Sequence, residues 1–331
     1  MTTGEGTTLP SAAAGGPAFA LESEPMPPTA PSVLKRLRKD RFAVAGAVGL
    51  LLVLLIALLA PLWAAVTGHG PNEAFIREGI DEFGVPRGPN ADFVFGVDPS
   101  GRDVSVRTLY GARTALLVGI IATAMATVIG VAVGLLCGFF GGTVDLVLSR
   151  VIDLFLVLPV FMLTLGIASA CGGPQGCVGG IVRPGLSLII FIIGLSSWGY
   201  MARVVRGQAL ALRDREFVAA ARLSGASELR VLFREVLPSI VPTVIILTVM
   251  VFPAVVLYEA GLSFLGVGAI DVPSWGATLG EARNVFPTAW WLVAFPGLFL
   301  AITVLSVNLL GEGLGDVLDP KQETTDAGGR A

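Results

Sequence analysis

The chain has 331 residues, 54% of them hydrophobic and only 14% charged, with a net charge of −3 and a mean hydropathy of +0.80. Soluble domains carry about a quarter charged residues because their wetted surface needs them, so this composition excludes a water-covered fold and calls for lipid. One histidine, His69, and three cysteines without a C-x-x-C pair argue against a zinc site, which needs about four N/S ligands.

Residues 1–40 are rich in Gly, Ala, Pro, Ser and Thr and lack apolar periodicity. They read as a disordered tail ending in a basic cluster, Lys35, Arg36, Arg38 and Lys39. No basic segment opens the chain, so the tail is not a secretory signal. The apolar run 42–66 exceeds the ~7–15 residues of a signal core. At ~1.5 Å per residue it crosses ~30 Å of hydrocarbon and is the first predicted transmembrane helix. Residues 67–111 are polar, with several Gly and Pro, and read as an extracytoplasmic segment.

Residues 112–311 hold five further spans, near 112–139, 146–169, 185–205, 239–264 and 290–310, and 312–331 form a polar tail. The fold class is therefore all-α: a polytopic membrane protein with six transmembrane helices. Pro159, Pro253 and Pro296 fall inside spans and remove helical hydrogen bonds there. They serve either as hinges or as fixed kinks. Cys171 and Cys177 flank a Gly/Pro-rich loop; in an oxidising compartment they would pair, and otherwise they stay two thiols.

Six spans put both termini on one side. With that side inside, inner segments hold fifteen of the 22 basic residues and outer segments seven. The positive-inside rule then places both termini in the cytoplasm. Arg150 and Asp153, at i,i+3 near the inner start of the third span, form either an interfacial ion pair or part of a gate. Glu259 lies near the outer end of the fifth span, where a carboxylate needs hydration or a partner. It is a pathway contact or a structural hydrogen-bonding group.

The stretch 206–237 is the one long charged segment between spans. Asp214 is placed to cap a short helix with Glu216 in its first turn. Ala219, Ala220 and Ala221 keep that helix slim, and Gly225 is suited to end it. Ser227 can cap a second short helix before Pro238 opens the next span. The segment is either a slim helical knob for a partner's groove or an ordinary solvated loop.

These residues resemble the E-A-A-x-x-x-G loop, followed by L-P, of binding-protein-dependent ABC importer permeases. Ala220, Ala221, Gly225, Leu237 and Pro238 match. The leading Glu is Ala219 here, with Glu216 one turn earlier. Other segments resemble the second ("C-type") permease of dipeptide and oligopeptide importers: 96–103 with 110–113, 259–266 with 273–276, 290–297, and 308–320. The resemblance implies a type I ABC importer permease fold. It implies that 214–226 is a coupling helix docking on an ATPase through Glu216, Ala220, Ala221, Arg222 and Gly225, with Leu237 and Pro238 following. It implies partners: a homologous permease completing the pathway, one or two ATPase subunits, an extracytoplasmic solute-binding protein and a peptide substrate, in a bacterial inner membrane. A nickel chelate, glutathione or another small solute is the alternative cargo. No nucleic acid is implied.

The only lysines are Lys35, Lys39 and Lys321, and none stands in G-x-x-x-x-G-K-[ST], so no P-loop is present. ATP and magnesium are expected on partner subunits, with no cofactor on this chain and no enzyme activity of its own. A secondary transporter would need midplane acids and often inverted repeats. The spans have almost no central acid and show no repeat. Pathway candidates are Arg150, Asp153, Pro253 and Glu259.

Overall fold

The structure, a computed structural model, describes residues 37–38, 40–171, 185–269 and 272–318. The expectations for the N-terminal tail, for Cys177 and for the C-terminal residues beyond 318 lie outside them. The described residues are helical, with no strand among them beyond two isolated bridges.

Helix α1 (Arg41–Thr67) begins where the Asp40 carboxylate accepts the Phe42 N–H at 2.8 Å, and ends at Gly68 with φ +74°. It buries Ala43, Gly46, Val53, Ala57 and Ala60 along one stripe and leaves Leu51, Leu55, Leu58 and Leu62 exposed, as a lipid-facing helix must. After the short α2 (Ile76–Gly79) comes α3 (Val104–Phe140), whose N-terminal N–H groups of Ser105 and Val106 are capped by the Asp103 carboxylate. It starts ahead of the expected 112: the cap fixes the first turn, and 104–111 fold as helix rather than loop.

Helices α4 (Gly142–Val157) and α5 (Val160–Cys171) are together long and apolar enough for one span but meet at 86° across Leu158-Pro159. Helices α6 (Leu186–Ser196) and α7 (Gly199–Arg213) form the next, interrupted at Ser197-Trp198 and running on well past 205. Two short helices follow, α8 (Glu216–Leu223) and α9 (Glu228–Val231). A π turn, Leu232–Val236, leads into α10 (Leu237–Phe264). Helix α11 (Trp275–Glu281) folds back on α10, and α12 (Trp291–Leu318) closes the bundle against α1. Five helices or helix pairs are long and apolar enough to cross a membrane, and the bent α4–α5 pair makes six. Pro253 and Pro296 sit inside continuous helices; only Pro159 marks a sharp break.

The central element is α3, which touches α1, α4, α6, α7, α10, α11 and α12. Gly130, Gly134 and Gly138 recur every four residues on one face. A Cβ at these positions would meet the Met201 side chain at 2.6 Å, the Ala202 carbonyl at 2.7 Å and the Arg206 carbonyl at 2.5 Å. Bare backbone therefore lets α3 and α7 approach closely. In lipid, such packing replaces the hydrophobic drive that association has in water.

Candidate functional site

The knob between α7 and α10 follows from its residues. Arg215, in extended backbone, is the N-cap of α8 and makes no side-chain cap bond. The expected cap, Asp214, is exposed beside Arg213 at 3.5 Å and does not serve. Glu216 lies in the first turn, where a negative charge suits the helix dipole. Helix α8 ends in a Schellman arrangement: Gly225 N–H donates to the Arg222 carbonyl, Ala226 N–H to the Ala221 carbonyl, and Gly225 has φ +81°. That left-handed conformation is why glycine stands there. Ser227 starts α9 without a side-chain cap bond.

The inner side of the knob is anchored. Val218 is fully buried in a cluster with Leu135, Phe139, Val205, Val231 and Val236. Arg222 donates to both Glu228 carboxylate oxygens at 3.1 and 3.0 Å, and its guanidinium lies 5.5 Å from the Phe139 ring centroid. Arg222 thus holds the two halves of the knob together and against the end of α3. The outer side is slim and partly apolar. Glu216, Phe217, Ala219, Ala220 and Gly225 are exposed, Leu223 is 90% exposed, and Ala221 is half-buried. Phe217 and Leu223 were not singled out in the sequence; the signal available was that, with Val218, they are the large apolar residues of 214–226. Leu237 and Pro238 open α10 directly after the π turn; because the helix is continuous from Glu228, the missing proline N–H leaves a carbonyl of the preceding turn without its helical donor.

The knob end is braced by ions beyond the expected pair. Arg150, 78% exposed, reaches Asp153 at 4.0 Å. Asp153 also takes Arg203 of α7, at 2.6 Å. Asp145 accepts from both Nε and Nη2 of Arg206, the latter at 2.8 Å. Both contacts tie α4 to α7 across the sequence, which i,i+3 spacing cannot reveal. Pro253 is buried inside α10.

The opposite end is a clasp between the 96–108 segment and α11. Arg102 bridges Asp98 and Glu281, each at 2.7 Å. Arg107, almost fully buried, lies 3.4 Å from Asp98 and 3.5 Å from Glu281. Burial pushes the Glu281 carboxyl above the usual range, with Asp98 adding to this and Arg107 and Arg102 opposing it. Trp275 donates its indole N–H to the Thr108 carbonyl, and Trp291 donates to that of Val97. Glu259 is 2% exposed and accepts from the Ser263 and Ser274 hydroxyls at 2.8 Å. It pins α11 to α10 rather than facing an open passage. Cys171 is buried at the end of α5, and Cys177 lies outside the described residues.

A model of the binding-protein-dependent transport system inner membrane component matches residues 130–324, which include the whole knob. The chain belongs to this family. A second model, the N-terminal transmembrane domain of oligopeptide transport permease C, matches residues 32–77. A putative peptide transport system permease protein of Brucella abortus is 36% identical over 87% of this chain and 90% of its own. The dipeptide transport system permease protein DppC of Bacillus subtilis is 34% identical over 87% and 84%. The oligopeptide transport system permease protein OppC of Escherichia coli is 34% identical over 87% and 89%. Among solved structures, an inward-facing MetNI methionine ABC transporter matches with TM-score 0.51 and 19% identity, covering 64% of this chain and 96% of that one. That likeness supports the type I permease fold. The chain is thus a multi-pass inner membrane transport component, and the relatives it matches are named as transport permeases.

Proposed function

We propose that this chain is the second permease subunit of an ATP-driven importer of di- and oligopeptides. The observation that carries the reading is the knob: a short helix, closed by left-handed Gly225 and anchored by Val218 and Arg222, presenting a slim face between two spans. The peptide cargo rests on relatives 34–36% identical over most of the chain, all named as peptide permeases. The partners follow from the same reading: a homologous permease completing the pathway, one or two ATPase subunits holding ATP and magnesium, and an extracytoplasmic binding protein. Both termini and the knob face the cytoplasm, as the basic-residue count favours. On this reading Glu216, Phe217, Ala220 and Leu223 seat in a groove of the ATPase. Closure of the ATPase pair moves the knob, and with it α7 and α10, to alternate access.

Deleting 214–226 is expected to abolish co-purification of the ATPase and peptide uptake while the chain still inserts. Normal ATPase recovery from the deletion variant would overturn the docking assignment. Leu223→Asp tests the face more gently. A charge desolvated in the groove is expected to weaken ATPase association at least tenfold, with membrane abundance unchanged because the side chain is already exposed.

A further inference from the structure

The first end of α1, cytoplasmic on the topology proposed above, combines a groove with charge. Asp40 N–H donates to the Leu37 carbonyl at 3.3 Å, and this turn lays Leu37 and Arg38 against the start of the helix. Between them and Val44, Ala47, Val48 and Leu51 of α1 lies a groove of about 280 Å³. These four helical residues are exposed. At ~1.5 Å per residue, α1 from Arg41 to Leu51 covers ~15 Å, half of a ~30 Å hydrocarbon core. The groove, with Arg41 at its mouth, therefore follows the depth of one leaflet, which is the length an acyl chain fills.

The charge is gathered at the same end. Arg38 lines the groove itself. Arg41 stands three, seven and ten residues before Val44, Val48 and Leu51, on their face of the helix. Among the described residues, neither guanidinium has an ion pair or a hydrogen bond. Lys35, Arg36 and Lys39 add three cations to this stretch of sequence. Asp40, the one acid of 35–41, is engaged by the Phe42 N–H. The end of α12 packs on Ala43 at Gly313, but its acids, Glu312 and Asp316, line no part of the groove. Basic residues directly cytoplasmic of a span favour anionic over neutral lipid.

We propose that this groove seats one anionic phospholipid of the cytoplasmic leaflet. Its phosphate lies on the Arg38 and Arg41 guanidiniums, which match phosphate oxygens with paired N–H donors. One of its acyl chains runs along Val44, Ala47, Val48 and Leu51. Any lipid-facing helix touches acyl chains. Here a turn walls the groove and two arginines stand at its mouth, so the seat selects by headgroup. The proposal does not depend on the cargo, and vesicles with the same lipids in both leaflets make its test independent of sidedness.

Leu51 is replaced by the photocrosslinker p-benzoylphenylalanine in the assembled transporter, with Leu58, also exposed on α1 and farther along it, as the control site. The protein is placed in vesicles of equal parts phosphatidylglycerol and phosphatidylcholine and illuminated, and the mass of each adduct reads the headgroup. The ratio of phosphatidylglycerol to phosphatidylcholine adducts at Leu51 is expected to exceed that at Leu58 by about fivefold or more. Two changes are each expected to bring it down to the Leu58 value. Arg38→Gln with Arg41→Gln removes the charge, and Ala47→Phe fills the groove while keeping the charge. Equal ratios at Leu51 and Leu58 overturn the proposal, as does enrichment that survives loss of both arginines. Enrichment that Ala47→Phe leaves untouched means diffuse attraction without a seat and also overturns it. So does a crosslink from Leu51 to another protein chain in place of lipid, which would make the groove a subunit contact. If the double glutamine variant fails to insert, the unaltered arginines and Ala47→Phe still decide.

Discussion

Single atoms decide how α11 seats on α10. A Cβ on Gly276 would collide with the Ala260 carbonyl, whereas one on Gly207 would meet nothing within 4 Å. Gly276→Ala is therefore expected to lift α11 and break the Glu259–Ser274 hydrogen bond, at a cost of about 1–3 kcal/mol. Gly207→Ala is expected to leave membrane abundance and uptake unchanged. Quantitative blotting of membranes with a parallel uptake assay checks both, and equal abundance and uptake for the two variants would sink the argument. Arg222 presents a different case. Its pair with Glu228 is well exposed, so its direct worth is under about 1 kcal/mol. Its role is to hold α8 in place. Arg222→Ala is expected to spare insertion yet weaken ATPase association several-fold, read by co-purification at graded detergent wash. At this scale some residues were legible and others were not. Gly225 could be read because one backbone conformation dictates it, whereas Pro238, expected to open the span, lies inside a helix already running from Glu228. Asp214 misled, because propensity marks a good capping residue but not which of two adjacent residues the chain turns on. Glu259 stayed open until Ser263 and Ser274 were seen beside it.

The element scale shows how helices without a hydrophobic drive stay together. The Gly130, Gly134 and Gly138 stripe brings α3 to α7, and Asp145 and Asp153 of α4 grip Arg206 and Arg203 of the same helix. Gly134→Leu is expected to force the two helices apart, costing more than 1–3 kcal/mol because the opposing atoms include the Ala202 backbone. Loss of the trypsin-resistant core in membranes would report it. Span positions were legible because length and hydropathy are enough to define a crossing. The start of α3 was not, since 104–111 are too polar to count as a span; the Asp103 cap was the overlooked signal. The break at Ser197-Trp198 has no proline, and its local signal, Ser196 and Ser197 followed by Gly199, is a weak one. The α4–α7 ion pairs join positions 50 and 61 residues apart, beyond any pattern read along the chain.

For the whole molecule, the sidedness proposed from basic residues makes a chemical prediction. The loop after Cys171 is then extracytoplasmic, and Cys171 and Cys177 are expected to be joined. Alkylation under denaturing conditions should add mass at both only after reduction, while Cys137 reacts without it. Alkylation of all three without reductant would refute the pairing and weaken the topology. The two ends of the bundle are also built differently. The knob end relies on partly exposed ion pairs and the apolar cluster around Val218. The far end relies on buried tryptophan hydrogen bonds and the Arg102–Glu281 clasp. Sequence could suggest that both ends matter, through the segments resembling one subfamily, but only the fold shows that 96–108 and 275–291 are halves of one structure.

The π turn at Leu232–Val236 gives the knob and α10 an unusual joint. One residue more than an α-helical turn holds is packed into the rod that runs from Glu228 to Phe264, with i→i+5 hydrogen bonding in place of the i→i+4 pattern on either side. A rod with such a splice can yield at one point, absorbing part of a push at its base. Removing the surplus residue, for example by deleting the exposed Phe233, would leave a straight, stiffer shaft. ATPase binding should survive, and the number of peptides carried per ATP should change.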